Sequence, residues 1–256
     1  LFPGNSSKNL PTIYGLMLLN DSETGKPVML MSGSALTAIR TGAVGGVAIR
    51  HLTHENTETA GLIGTGVQGY YQLLYAAIAR PIKKMFVYDR NTNRLKAFID
   101  KLAAELPDVN ITAAPSSEEV LKRSEVIITT TTSNEPVLPD NPKLYKGKHF
   151  VGIGSYKPTM REYPKALFTE ADKIYIDAED AAKESGDIIT PLAEKWINKD
   201  KIETFGHFLM SGDTAEKVGD KTILFKSVGI GLFDLMVSDL IYKSAVNKGL
   251  GQEINI

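Results

Sequence analysis

The sequence predicts the α/β class, with a parallel, doubly wound sheet and a second, smaller α+β part that includes both ends of the chain. Two observations predict it. Short apolar runs alternate with helical patterns through the middle of the chain, and one run leads directly into the glycine-rich stretch AGLIGTGVQGYYQ at 60–72. Strands that are separated by helices pair in parallel, because each crossover returns the chain to the same end of the sheet.

The stretch before this alternation predicts a hairpin followed by a helix. Apolar residues on both sides of the turn sequence DSETGKP indicate two antiparallel strands. Ser32 is the expected cap of a helix through SALTAIRTGAVGGVAIRHL, where apolar residues recur at helical spacing. Gly42, Gly45 and Gly46 each weaken this helix by up to about 1 kcal/mol relative to alanine. We therefore expect another backbone or a ligand to approach the helix closely there.

The alternating region supplies the strands and helices of the sheet. Strands are predicted near 60–63, 84–89, 110–113, 126–131, 150–154 and 173–177. Helices are predicted to begin near Val67, Asn91, Ser117 and Asp180. The stretch SVGIGLFDLMVSDLIYKSAVNKGLG predicts one long final helix that Gly249 ends.

The order of these elements divides the chain into three segments. They are the hairpin with its helix at 1–53, the alternating sheet region at 54–228, and the final helix at 229–256. A hairpin and helix without further partner strands leave apolar surface uncovered, so we expect a homodimer and a biological chain longer than 256 residues.

Composition and charge exclude several kinds of partner. Lysine and arginine number 29 against 30 aspartate and glutamate residues, so no basic field is available to attract nucleic acid or anionic lipid. No apolar run reaches the length of about 18 residues that spans a membrane. The lack of cysteine fits a reducing cytoplasm. His51, His54 and Glu55 do not have the spacing of a zinc site, and we expect no metal.

The glycine-rich loop predicts a dinucleotide cradle. It follows an apolar strand and opens a helix, and an acidic residue lies 20 positions beyond its last glycine. Gly64 permits the tight turn, Gly66 lets the backbone approach a pyrophosphate, and Gly69 lets the helix pack on the sheet. Asp89 is placed to accept from a ribose 2′-hydroxyl, which favours NAD(H) over NADP(H), whereas Arg90 could accept a 2′-phosphate. The alternative is an ordinary strand-to-helix turn.

Two further stretches carry polar side chains that suit a ligand. Arg40 places a guanidinium, with several N–H donors in one plane, on an otherwise apolar helix. It is either a binding group for a carboxylate or phosphate, or a solvated charge on the surface. The run TTTTSN at 129–134 ends a predicted strand at the carboxyl edge of the sheet, where ligands of such sheets bind. A polar edge without a ligand explains these hydroxyls equally well.

Several stretches taken together resemble the ornithine cyclodeaminase/mu-crystallin family. They are FPGN, SGSALTAIRTGAVGGVA, GLIGTGVQG, ITTTTS and LFKSVGIGLFDL, and they occur in the right order over nearly the whole chain. The resemblance implies that 54–228 is a Rossmann dinucleotide-binding domain and that 1–53 is a partial, N-terminally incomplete outer domain for substrate binding and dimerisation. The C-terminal helix at 229–256 would return to this outer domain. The resemblance also implies an NAD(P)-dependent enzyme that acts on a small amino acid or imino acid.

The resemblance implies roles for individual residues. Arg40 would bind the substrate carboxylate, and Tyr156 would be the candidate catalytic side chain after the fifth strand. The cofactor would be held by Thr41, Gly64, Thr65, Gly66, Val67, Gln68, Gly69, Asp89, Arg90, Thr130, Thr131, Thr132, Ser227, Val228 and Gly229.

Two departures from the family pattern bear on the reaction. Cyclodeaminases carry an aspartate and a lysine where this sequence has Tyr156 and Met160, and a phenol replaces a carboxylate poorly at neutral pH. The family's stretch before FPGN, which includes a pocket lysine, precedes the first residue of this sequence. We expect NAD(H)-dependent interconversion of a small amino acid and its imine, such as a pyrroline carboxylate. The alternatives are ornithine cyclodeamination and, third, a crystallin-type protein that only binds its ligands.

Overall fold

The computed structural model describes residues 2–8, 10–214 and 220–254. Its contacts divide the chain into two compact units. The smaller unit comprises Leu1–Arg40 with Ile230–Ile256, and the larger unit comprises Thr41–Gly229. The boundary falls within one continuous helix. The predicted division of the chain into domains, with boundaries after residues 53 and 228, stays a prediction.

The larger unit is built on a parallel sheet that has eight strands in the described part of the chain. In chain order these strands are β3 (Thr59–Ile63), β4 (Lys84–Tyr88), β5 (Asn110–Ala113), β6 (Val126–Thr129), β7 (His149–Gly152), β8 (Lys173–Ile176), β9 (Ile202–Thr204) and β10 (Ile223–Lys226). Their order across the sheet is β5-β4-β3-β6-β7-β10-β8-β9. The chain therefore moves from β3 to one side and restarts at β6 on the other, which is the switch point where such sheets bind ligands.

Helices follow most of these strands. They are α2 (Val67–Ala79), α3 (Leu95–Glu105), α4 (Ser117–Arg123), α5 (Lys165–Glu170), α6 (Ala181–Glu184), α7 (Gly186–Ala193) and α8 (Phe205–Met210). Successive strand residues belong to different apolar clusters: Leu62 and Ile128 to one, Ile63 and Ile127 to the other. Since side chains alternate along a strand, the two clusters cover opposite faces of the sheet. The predicted α/β class with a doubly wound parallel sheet is confirmed.

The smaller unit contains a two-stranded antiparallel sheet and a long helix. Strands β1 (Leu16–Asn20) and β2 (Pro27–Ser32) form the predicted hairpin, in which Leu18 lies opposite Leu30. Helix α1 (Gly33–Leu52) begins after Ser32, whose hydroxyl accepts from the backbone N–H of Ala35 at 3.3 Å. Helix α9 (Gly231–Lys248) packs on β1 and ends at Gly249, which has a φ of 62°.

Several details of the element assignment differ from the prediction. The short helices α5, α7 and α8 were not predicted, and helix α3 begins at Leu95 rather than near Asn91. Strands β9 and β10 were not predicted, because runs of three or four residues show no period that separates a strand from a helix. The last helix begins at Gly231 rather than at Ser227, since residues 227–229 form a loop after β10. Most predicted strands are one or two residues too long at their carboxyl ends, which is the usual uncertainty of an element boundary.

The glycines of helix α1 are explained by the helix that packs against it. A Cβ atom on Gly42 would lie 2.7 Å from Cβ of Tyr71, and one on Gly46 would lie 2.8 Å from Cβ of Tyr75. The expected close approach is therefore made by helix α2. The buried Gln72 on the same helix donates from Nε2 to the backbone oxygen of Thr41 at 2.8 Å.

Candidate functional site

A cleft of about 700 Å³ opens at the carboxyl edge of the sheet, at the switch point between β3 and β6. Its walls come mainly from the segments that follow three neighbouring strands: residues 63–66, 88–91 and 130–133. The predicted cradle, Asp89 with Arg90, and the threonine run are thus brought together in one place. Neighbouring parallel strands end at the same edge, which is why these distant stretches of sequence meet.

The glycine loop has the backbone geometry that its sequence predicts. Gly64 adopts a φ of 102°, which residues other than glycine rarely adopt. A Cβ on Gly69 would collide with the carbonyl oxygen of Gly64 and lie 2.9 Å from Cδ2 of Leu62. At Gly66 no atom of the described residues, apart from its two chain neighbours, lies within 4 Å of such a Cβ, and the residue lines the cleft. The loop therefore leaves backbone exposed to the cleft and lets helix α2 start close to the sheet.

The start of helix α2 also lies at this loop. Val67 is 65% exposed, and the Oε1 atom of Gln68 is buried without a hydrogen-bond partner among the described residues. Helix α2 has 13 residues and no side-chain cap on its first N–H groups. Unpaired N–H groups and the helix dipole make such a terminus attractive to an anion such as a pyrophosphate.

Asp89 connects the second strand to the glycine loop. Its Oδ2 accepts from the backbone N–H and the hydroxyl of Thr65, both at 2.7 Å, and its Oδ1 accepts from the backbone N–H of Asn91 at 2.7 Å. Partial burial disfavours the charged form, but these hydrogen bonds and the nearby charge of Arg94 outweigh it and hold the pKa of Asp89 below its usual range. A carboxylate has about four acceptor positions, so roughly one remains, on Oδ1.

The threonine run forms the facing wall and is held by a buried carboxylate. Thr130 donates from its hydroxyl to the backbone oxygen of Gly64 at 2.8 Å. Glu162, which is fully buried, accepts from the backbone N–H and hydroxyl of Thr131 at 2.6 and 2.8 Å. It also accepts from the hydroxyl of Thr129 at 2.9 Å and the backbone N–H of Gly154 at 2.8 Å. Thr132 follows in the same turn and lines the cleft.

A second buried carboxylate lies behind Glu162. Asp187 accepts at Oδ1 from the backbone N–H groups of Glu162 and Tyr163, at 2.8 and 3.1 Å. Its Oδ2 is buried without a partner among the described residues. Burial raises the pKa of Asp187 to about 7; the Lys226 charge opposes that rise and the Glu162 charge adds to it. Burial in turn lowers the pKa of Lys226, whose ammonium donates to the backbone oxygens of Gly152 and Ser227.

The segment Ser227, Val228 and Gly229 is organised by Asp177, at the end of β8. Oδ2 of Asp177 accepts from the Ser227 hydroxyl at 2.6 Å and from the backbone N–H groups of Val228 and Gly229 at 3.0 and 2.7 Å. Position 229 requires glycine, because its φ of 82° is one that residues with a side chain rarely adopt. This loop and the threonine run follow strands of the same parallel sheet, so both lie at its carboxyl edge.

The two predicted catalytic residues, Arg40 and Tyr156, are not among the residues that line the cleft. Tyr156 lies in the loop after β7, and the ammonium of Lys157 is 5.6 Å from the centre of its ring. Arg40 belongs to the smaller unit, where its side chain is only 9% exposed. Its Nε donates to Oδ1 of Asp234 at 3.0 Å, whereas its Nη1 is buried without an acceptor among the described residues. Arg40 is therefore not a solvated surface charge.

Sequence reasoning missed five charged residues at these places: Asp177, Asp234, Glu162, Asp187 and Lys226. Asp177 carried a signal, since it ends a predicted strand just as Asp89 does. Nothing in the sequence indicated the contacts of the others, because most of their partners come from distant segments. Across the described ranges, the structure contains no group of three or more histidine, aspartate or glutamate side chains placed to hold a metal. No helix in those ranges is long and apolar enough to cross a membrane.

Comparison with known proteins places this chain among enzymes of one family. The model of the ornithine cyclodeaminase/mu-crystallin family matches residues 1–249. The Δ1-pyrroline-2-carboxylate reductase of Bacillus cereus is 34% identical, over 98% of this chain and 77% of its own length.

Two solved structures are also similar. The Thermococcus litoralis Δ1-pyrroline-2-carboxylate reductase in complex with NADH and L-proline is 33% identical, with a TM-score of 0.91 over 99% of this chain and 78% of its own. An archaeal alanine dehydrogenase dimer with bound NAD is 31% identical, with a TM-score of 0.85 over 99% of this chain and 78% of its own.

Proposed function

We propose, from the premise that this chain belongs to the ornithine cyclodeaminase/mu-crystallin family, that it is an NAD(H)-dependent oxidoreductase that interconverts a small amino acid with its imine. A cyclic imine such as a pyrroline carboxylate is the favoured substrate. The observation that carries the proposal is the buried Arg40 with an unpartnered Nη1, on a chain that also has a dinucleotide cleft. The Bacillus and Thermococcus pyrroline-carboxylate reductases support this substrate class.

The residues of the cleft fit a dinucleotide. The exposed backbone of residues 64–66 and the start of helix α2 suit the pyrophosphate, the free acceptor position of Asp89 suits a ribose hydroxyl, and Thr130, Thr131 and Thr132 suit the second ribose. Because its lowered pKa keeps Asp89 ionised at neutral pH, it repels a 2′-phosphate, so NAD(H) is preferred to NADP(H) despite Arg90. When bound, the nicotinamide supplies or accepts the hydride.

The substrate carboxylate is the proposed partner of Arg40. A guanidinium presents several N–H donors in one plane and matches a carboxylate with two of them. Tyr156 is proposed as a catalytic side chain, at the position where cyclodeaminases carry a carboxylate. Thr41 is proposed to contact the cofactor phosphates, and Ser227, Val228 and Gly229 the nicotinamide.

A second copy of the chain is the proposed protein partner. Leu16, Leu18 and Leu30 on the hairpin are 78%, 53% and 61% exposed. Since Leu18 lies opposite Leu30, they form one apolar patch, and such a patch favours association. The dimeric archaeal alanine dehydrogenase supports a homodimer. The cytoplasm is the proposed location, because the reaction consumes the NADH of the cell interior.

A substrate panel tests the reaction. The protein is incubated with NADH and either cyclic imines or 2-oxo acids plus ammonia, while NADH absorbance is followed, and separately with L-ornithine and NAD. We expect oxidation of NADH with a cyclic imine. Proline formation from L-ornithine without any imine reduction would instead identify a cyclodeaminase, and tight NADH binding without turnover would identify a binding protein.

A further inference from the structure

The ion pair of Arg40 and Asp234 carries two unused hydrogen-bonding groups of opposite charge. Arg40 Nε and Asp234 Oδ1 are 3.0 Å apart, and the Thr37 hydroxyl lies 3.5 Å from the same Oδ1. Arg40 Nη1 has no acceptor within the part of the chain that the structure describes. Asp234 Oδ2 accepts none of the hydrogen bonds found there, and the Asp234 side chain is 22% exposed. A donor on a cation and an acceptor on an anion therefore remain free within one ion pair.

The charge of this pair determines which ligands it can stabilise. Arg40 and Asp234 together are neutral, so a ligand with only a carboxylate adds an uncompensated negative charge beside Asp234. A ligand whose carboxylate has a cationic nitrogen on the next carbon adds no net charge, and it offers an acceptor to Nη1 and a donor to Oδ2. The two kinds of ligand should therefore differ strongly in affinity. Interactions between charges strengthen when solvent is excluded, and the Arg40 side chain is only 9% exposed.

We propose that Asp234 is a specificity-determining residue, which selects amino acids and protonated imines and rejects the 2-oxo acids that share their carboxylate. The inference rests on the proposed function, because it takes Arg40 as the carboxylate anchor. A 2-oxo acid then binds weakly at Arg40, although it carries the same carboxylate. Asp234 also favours the reactive form of the substrate, since a protonated imine accepts a hydride more readily than a neutral imine does.

Two ligands of nearly the same shape test the selection. L-proline carries a cationic ring nitrogen, and tetrahydrofuran-2-carboxylate carries an uncharged ring oxygen in its place. Titration calorimetry of the NADH-saturated protein measures both dissociation constants. We expect the wild-type protein to bind L-proline at least about tenfold more tightly than tetrahydrofuran-2-carboxylate, because L-proline alone forms a solvent-shielded charge pair with Asp234. In Asp234→Asn, weaker binding of L-proline and tighter binding of the oxygen analogue should remove this preference.

Two further variants make the test specific. Asp234→Glu keeps the charge and should restore part of the preference. Asp239→Asn makes the same chemical change on the same helix, at an exposed residue paired with Lys243, and should leave both constants unchanged. Thermal melting verifies that each variant is folded.

The outcomes separate this inference from the proposed function. An unchanged preference in Asp234→Asn, or an equal loss of affinity for both ligands, would overturn the inference and leave the proposed function intact if imines are still reduced. A wild-type protein that binds both ligands equally would overturn the inference even if Asp234→Asn does not fold. A wild-type protein that binds neither ligand would contradict both proposals.

Discussion

At the carboxyl edge of the sheet, Glu162 accepts four hydrogen bonds and Asp177 accepts three. In the smaller unit, by contrast, the buried Arg40 has one ion-pair partner, and its Nη1 has no acceptor among the described residues. Both regions hold ligand-binding candidates. In the first, the protein itself holds the loops in place. In the second, a buried donor stays unsatisfied at a cost of about 1–3 kcal/mol. The proposed cofactor site is thus preorganised, whereas the proposed substrate anchor has a donor left for a ligand to satisfy.

The largest expected effect comes from breaking the preorganised region. Glu162→Ala removes the acceptor of the buried Gly154 N–H and of the half-buried Thr131 N–H, so the free energy of unfolding should fall by about 3 kcal/mol or more, and NADH should bind more weakly. Denaturant titration and NADH titration measure the two changes. Glu179→Ala, at an exposed position, serves as the control. A loss of less than about 1 kcal/mol would show that the network does not hold the loop.

The next effect comes from the substrate anchor. Arg40→Lys keeps the charge but loses the planar fork, so kcat/KM for the imine should fall by about 2 kcal/mol or more, with little change in melting temperature. Steady-state kinetics and thermal melting measure this. Arg50→Lys makes the same exchange at an exposed position of helix α1 and should have no effect. Unchanged kinetics in Arg40→Lys would remove Arg40 from substrate binding.

A smaller effect is expected at Asp89. Asp89→Asn removes the negative charge that repels a 2′-phosphate, so the preference for NADH over NADPH should shrink by about 1.5 kcal/mol, or roughly tenfold. Titration with each cofactor gives both dissociation constants. Asp100→Asn on helix α3, where Asp100 pairs with Lys96, is the matched control. If the wild-type protein binds NADPH as tightly as NADH, the assignment of NAD(H) is wrong.

The smallest effect concerns pH. The folded protein raises the pKa of Asp187 to about 7, above the value of about 3.9 in an unfolded chain. The folded state then binds the Asp187 proton more tightly than the unfolded chain does. The contribution of this proton to the free energy of unfolding is therefore complete below pH 3.9 and is lost as pH rises through 7. Between pH 6 and 7 this loss amounts to about 1 kcal/mol.

Asp187→Asn tests this dependence. The asparagine oxygen still accepts from the two backbone N–H groups, and the variant does not titrate, so its free energy of unfolding should decline less from pH 6 to 7 than that of the wild-type protein. Denaturant titrations at both pH values measure the difference. Parallel pH profiles for the two proteins would show that Asp187 does not titrate in this range.

The local parts of the fold followed from the sequence. Six strands, the hairpin, the cap at Ser32 and the end of the last helix at Gly249 depend on periodicity and on residues close in the chain. The backbone of Gly64 and the packing at Gly69 follow from the same local pattern. Strands β9 and β10 were missed because short buried runs show no period of their own.

What only the tertiary structure decided is which charges are buried and what they contact. The sequence alone determined six strands of the sheet, the glycine loop and its proximity to Asp89, because local periodicity and local turns specify them. It left Arg40 open between a surface charge and a ligand anchor. The fold buries it beside Asp234, which is 194 positions away. Glu162 and Asp187 likewise gain their roles from segments that meet only when the sheet is assembled, since burial and hydrogen bonding depend on neighbours in space rather than in sequence.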